Sequence, residues 1–92
     1  MNLYLIHTGY YDKNIGGGFY EQHTNIFIVA KSPFEARELV KKNKEYIDKK
    51  MHIDGIKEIE NIDGYDIKLI DSNKETKVNT YNHYQVRFLK KE

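Results

Sequence analysis

Three of the four histidines of this 92-residue chain, two carboxylates, a run of glycines and a group of aromatic rings are the residues that could do chemistry. Glu21 and His23 are spaced by two, as are His52 and Asp54, and on a β-strand that spacing aims both members of a pair at one face. Imidazole and carboxylate are the usual ligands of zinc, manganese and non-haem iron, and the usual acid–base groups near neutral pH. The two pairs, with His7, are compatible with a carboxylate orienting an imidazole, with a metal cage, or with a patch that recognises a polar ligand. Such pairs at strand ends also serve as hydrogen-bonded structural groups. The spacing is not that of a zincin motif or a carboxylate facial triad.

Gly16, Gly17 and Gly18 offer backbone N–H groups unobstructed by a Cβ, which can cradle an anion. Around them, Tyr10, Tyr11, Phe19 and Tyr20 could stack on a planar ligand, and Lys13 could meet a phosphate. The run lacks the Lys-Ser/Thr ending of a Walker loop and does not open a helix, so it is neither common nucleotide fingerprint. A mobile loop tip is the plainer reading of the glycines. The rings keep a nucleotide-like ligand in view.

The elements that must position these residues follow from the pattern of apolar residues. Leu3 to Thr8 and Asn25 to Ala30 are short, nearly continuous apolar runs, read as strands buried on both faces. Ser32, Pro33 and Glu35 carry an N-cap, a proline at the first helical position and a capping box, followed by Ala36, Leu39, Val40, Asn43 and Ile47 at helical spacing. This predicts one helix of about fifteen residues, roughly 22 Å long. Met51 to Ile59 reads as a third strand with a bulge near Gly55, Asp63-Gly64 as a type I′ turn, and Tyr65 to Ile70 as a fourth strand. Asp71 to Thr80 is polar loop, and Tyr81 to Leu89 alternates as a fifth, edge strand. The expected fold class is α+β: residues 1–92 as one domain, a mixed sheet of about five strands in the order ββαβββ, with one helix on one face.

This order has a consequence for the polar residues. A strand–helix–strand connection predicts parallel second and third strands, and a hairpin brings the end of the first strand to the same sheet edge. His7, the Tyr10–Gln22 loop, Glu21, His23, His52 and Asp54 should converge there. His83 should not.

Composition closes several alternatives. The chain has no cysteine, which excludes disulfides, thiolate zinc sites, iron–sulfur clusters and a cysteine nucleophile. A formal net charge of +1 gives no electrostatic case for nucleic acid or a membrane surface. No apolar stretch approaches the roughly twenty residues of a membrane span, and no signal-peptide pattern opens the chain, so a cytoplasmic protein is expected. A chain this size builds one modest core. One helix covers one face of the sheet, and the apolar second face predicts a homodimer or higher oligomer.

Glu21-Gln22-His23, the Ser-led helix, His52-Ile53-Asp54-Gly55 and Ile62-Asp63-Gly64-Tyr65 together resemble a small bacterial family known only as a domain of unknown function, number fifteen forty-three. The similarity runs from about Leu3 to Ile70. Family members look to have His-Asp where this chain has His23-Thr24, and often a Trp near the end of the helix. The resemblance implies importance for Glu21, His23, His52 and Asp54 without implying an activity. The leading expectation is a non-enzymatic, oligomeric binding module that holds a small polar or anionic ligand at the sheet rim. A metal-dependent or acid–base enzyme using the same cluster is the alternative, and a protein-interaction module the third possibility. No cofactor is named by the residues.

Overall fold

Hydrophobic alternation along the first two strands fixes which side of the sheet is covered. The computed structural model describes residues 1–92. β1 (Asn2–Tyr11) and β2 (Glu21–Ala30) form an antiparallel hairpin whose register runs from Asn2 opposite Ala30 to Tyr11 opposite Glu21. The chain continues through α1 (Pro33–Val40) and α2 (Lys44–Asp48) and returns as β3 (His52–Ile59), antiparallel to the other edge of β1. The strand order is β2-β1-β3. β2 and β3 therefore run the same way, as the crossover predicts, with β1 between them.

Tyr4, Ile6 and Ala30 from the sheet and Ala36 and Val40 from α1 are fully buried and form the core. Ile26, Ile28, Leu39, Tyr46, Ile53 and Ile56 pack around them. The polar groups on this face are satisfied: the Thr8 hydroxyl donates to the Thr24 carbonyl at 3.1 Å, and the Tyr4 hydroxyl to Glu58 Oε1 at 2.6 Å. Burial, followed by the hydrogen bond to Glu58, holds the Tyr4 phenol above the usual tyrosine range.

Ser32 caps α1 by accepting from the Glu35 N–H at 3.1 Å, while the Glu35 carboxylate reaches past it to the Lys31 N–H. The single long helix expected from Ser32 onward is two short ones. Asn43, expected on the apolar face of a continuous helix, instead caps α2 by accepting from the Tyr46 N–H at 3.2 Å. Asn competes with the helix backbone for such bonds, which is why the break falls there.

The five-strand mixed sheet is also corrected. Its three main strands pair only antiparallel, and β4 (Asn61–Ile62) and β5 (Tyr65–Asp66) form a separate two-stranded ribbon. Asp63 and Gly64, with φ of 54° and 85°, make the tight turn expected of them. The ribbon fades after one further bond, from the Ile67 N–H to the Glu60 carbonyl. Tyr81–Leu89 does not form an edge strand but contains α3 (His83–Arg87). Asn82 accepts from the Gln85 N–H at 3.0 Å and Gln85 Oε1 accepts from the Asn82 N–H at 2.9 Å, a reciprocal capping box. That local signal outweighs the alternation of Tyr84, Val86 and Phe88.

The expectation that β1 and β2 are buried on both faces fails on the side away from the helices, where Phe27 is 65% and Val29 45% exposed. The aromatic loop does not fold back over them, since Phe19 is itself 78% exposed. No helix is long and apolar enough to cross a membrane.

Candidate metal centre

The open face is a consequence of strand periodicity. Tyr4, Ile6 and Thr8 turn toward the helices, so Leu3, Leu5, His7, Gly9 and Tyr11 turn away, and the register sets them opposite Val29, Phe27, Asn25, His23 and Glu21. The face therefore has an apolar end and a polar end. On β3 the register shifts between His7, opposite Gly55, and Thr8, opposite Ile53, which leaves Asp54 as the extra residue of a bulge. This bulge, foreshadowed by the break in apolar phase at Gly55, delivers both His52 and Asp54 to the polar end.

There the side chains meet. His23 Nε2 lies 3.0 Å from Glu21 Oε1 and its Nδ1 3.2 Å from Asp54 Oδ2. His52 Nε2 lies 3.1 Å from Asp54 Oδ1 and 3.7 Å from Glu21 Oε1. The His7 ring stacks on the His23 ring, centroids 5.0 Å apart and planes 9° from parallel, and its Nδ1 is 3.0 Å from Asn25 Oδ1. The amide oxygen can only accept, so His7 Nδ1 is the donor in this contact, and in the neutral ring Nε2 is then the nitrogen with the lone pair. Tyr11 donates to Glu21 Oε2 at 3.1 Å, turning Oε1 toward the histidines. That hydrogen bond, then the charge of Glu21, raises the Tyr11 phenol above its ordinary range.

Gly9 is the floor of the cluster. A Cβ at this position would fall 2.6 Å from His52 Nε2 and 2.7 Å from both Asp54 Oδ2 and Glu21 Oε1. Any larger residue would occupy the space on which three donor atoms converge. Metal–ligand bonds of about 2.0–2.2 Å, at octahedral to tetrahedral angles, separate neighbouring donors by about 2.8–3.6 Å. The His–carboxylate separations of 3.0–3.2 Å fall inside that range, and 3.7 Å lies just beyond it.

Of the residues singled out in the sequence, His7, Tyr11, Glu21, His23, His52 and Asp54 are together. Tyr10 turns to the other side, where Lys49 Nζ stands 4.9 Å from its ring centroid. Gly16, Gly17 and Gly18 make a 3-10 turn at the hairpin tip, all with left-handed φ, and turn bonds use the N–H groups of Gly18 and Phe19. Lys13, Phe19 and Tyr20 belong to this tip and make no hydrogen bond or ion pair to the cluster. Asn25 was not anticipated, although its spacing of two from His23 puts it on the same strand face.

A three-stranded antiparallel sheet with helices on one side and a His/carboxylate cluster on the other defines a small α+β protein with a polar surface site. The chain belongs to the family described as Domain of Unknown Function (DUF1543), whose model matches residues 18–69, more than half of the chain. The match contains Glu21, His23, His52 and Asp54; His7 and α3 lie outside it. No curated protein and no solved structure matches the chain.

Proposed function

We propose that the protein is a small binding domain whose ligand is a divalent transition-metal ion, held on the open face by Glu21, His23, His52 and Asp54. The observation that carries this reading is His23, whose two ring nitrogens face carboxylate oxygens of different residues at 3.0 and 3.2 Å. A neutral imidazole has one N–H, so it can donate to only one of them. At the other, a nitrogen lone pair opposes a carboxylate oxygen. A metal ion held by both atoms removes that conflict, whereas without one the ring must carry a second proton. With neutral imidazoles, the two carboxylates also leave a locally negative surface that attracts cations. The mixed nitrogen and oxygen donors suit zinc, manganese or iron(II) rather than calcium or magnesium.

Cobalt(II) gives the test an optical readout. Titrated into the protein, it should produce visible ligand-field bands that zinc(II) displaces, and both His23→Ala and His52→Ala should weaken and shift them. A flat titration of the folded wild-type protein overturns the reading.

A second reading, for a nucleotide-like anion, is supported by a hollow of about 500 Å³ at the hairpin end, lined by Tyr10, Tyr11, Asp12, Lys13, Asp48, Lys49 and Lys50. Two rings and three ammonium groups border it. A thermal-shift panel of nucleotides should show stabilisation that Lys13→Ala or Lys49→Ala reduces, and a panel without shifts removes the idea. The apolar end of the open face, with Leu3, Leu5, Phe27, Val29 and Ile59, supports pairing with a second copy of the chain. A monomer mass by light scattering at micromolar concentration would refute it.

A further inference from the structure

We infer that the open face is built for two divalent ions, with Asp54 bridging them. The inference rests on the metal-binding reading above and adds the number of ions and the donors of each. Asp54 presents its two oxygens to two different histidines: Oδ2 lies 3.2 Å from His23 Nδ1 and Oδ1 lies 3.1 Å from His52 Nε2. A carboxylate that offers one oxygen to each of two imidazoles has the geometry of a bridging ligand. In two-metal sites the ions stand about 3.5–4 Å apart.

The remaining donors divide in the same way. His7, His23 and Asp54 form one set, and Glu21, His52 and Asp54 the other; in each set the ligand atoms lie within 4.8 Å of one another. Only Asp54 belongs to both. The first ion would take His23 Nδ1, one oxygen of Asp54 and, once the exposed His7 ring turns out of its stack on His23, a ring nitrogen of His7. The second would take His52 Nε2, the other oxygen of Asp54 and Glu21 Oε1. Three protein donors leave each ion positions on the solvent side for water or an oxyanion.

The surroundings support this division. Metal-bound histidines commonly donate their other ring N–H to an oxygen, which fixes the tautomer and orients the ring. His7 does so to Asn25 at 3.0 Å, and His23, bound through Nδ1, would do so from Nε2 to Glu21 Oε1 at 3.0 Å. Tyr11 holds the other Glu21 oxygen at 3.1 Å. The short contact between His23 and Glu21 then acts as an orienting hydrogen bond between the two ion sites. The β3 bulge supplies the remaining requirement, because it brings His52 and Asp54 together to the face that carries His7 and His23.

Native mass spectrometry during zinc(II) titration distinguishes the outcomes. Wild-type protein should take up two ions per chain. His7→Ala and His52→Ala should each retain one, the double variant none, and His83→Ala two. The variants lie on an exposed surface, and far-UV circular dichroism of the metal-free proteins checks that they fold; His7→Gln replaces His7→Ala should the alanine variant fail that check. One ion in the wild type overturns the paired site and leaves the metal-binding reading standing. Uptake of two ions by His7→Ala, or loss of one by His83→Ala, also overturns the paired site. No uptake overturns both readings.

Discussion

The two faces of the central sheet are made from the same strands and behave oppositely. On the helix side, β1 contributes Tyr4, Ile6 and Thr8, all fully buried and all with their polar atoms hydrogen-bonded. One residue out of phase, it contributes His7, Gly9 and Tyr11 to a surface where imidazoles and carboxylates crowd within hydrogen-bond distance. The contrast teaches that a period of two can separate stability from chemistry along a single strand. The covered face holds the fold with a small core. The open face is free to carry groups that a core would have to neutralise.

Exchanging the roles of neighbouring residues tests that separation most severely. Ile6→Ala removes a fully buried side chain and should cost about 2–5 kcal/mol, a large part of the stability of a chain this small. His7→Ala, one residue along, should change stability by no more than about 0.5 kcal/mol. Urea unfolding of both variants measures the difference, and comparable losses would break the comparison. On the open face, Asp54→Asn should have the largest effect on ion uptake, because both proposed donor sets use Asp54. It should leave the urea midpoint near that of the wild type.

Gly9→Ala comes next. Its methyl group would fall within 2.7 Å of three donor atoms, so cobalt(II) uptake should be lost while the strand still forms. Uptake at wild-type affinity would show that the donors do not converge over Gly9. Asn25→Ala removes only the partner that orients His7 and should weaken uptake about tenfold. The smallest effect is at Tyr11. Its raised pKa means that the hydrogen bond to Glu21 contributes stability below the ordinary tyrosine range, and that this contribution is lost as pH rises through the folded-state value. The difference in phenolate absorbance between the wild type and Tyr11→Phe should show Tyr11 titrating late, and the same difference in a Glu21→Gln background should bring it back down.

Much of the positioning scaffold was legible because it depends on local chemistry. The Ser32 cap, the Asp63-Gly64 turn, a bulge near Gly55 and the common direction of β2 and β3 all follow from residues close in sequence or from handedness rules. Strand direction alone brought Glu21, His23, His52 and Asp54 to one edge. Failures came where two local signals competed. Asn43 could continue a helix or cap the next, and it caps; Tyr84, Val86 and Phe88 alternate like a strand, yet Asn82 and Gln85 close a helix around them. The glycine run is compatible in composition with a cradle or a plain loop tip, and its left-handed φ values show that the turn itself uses glycine. Which ring nitrogen faces which oxygen, and the space over Gly9, depend on side-chain packing across three strands. No spacing along the chain encodes them.

The C-terminal helix supplies an internal control for metal binding on the open face, because His83 is the one histidine away from the cluster. Histidine-selective nitrogen-15 NMR during zinc(II) titration reads all four imidazoles in one sample. His7, His23 and His52 should shift on binding while His83 stays in place. Equal perturbation of all four, or a response at His83 alone, would contradict it.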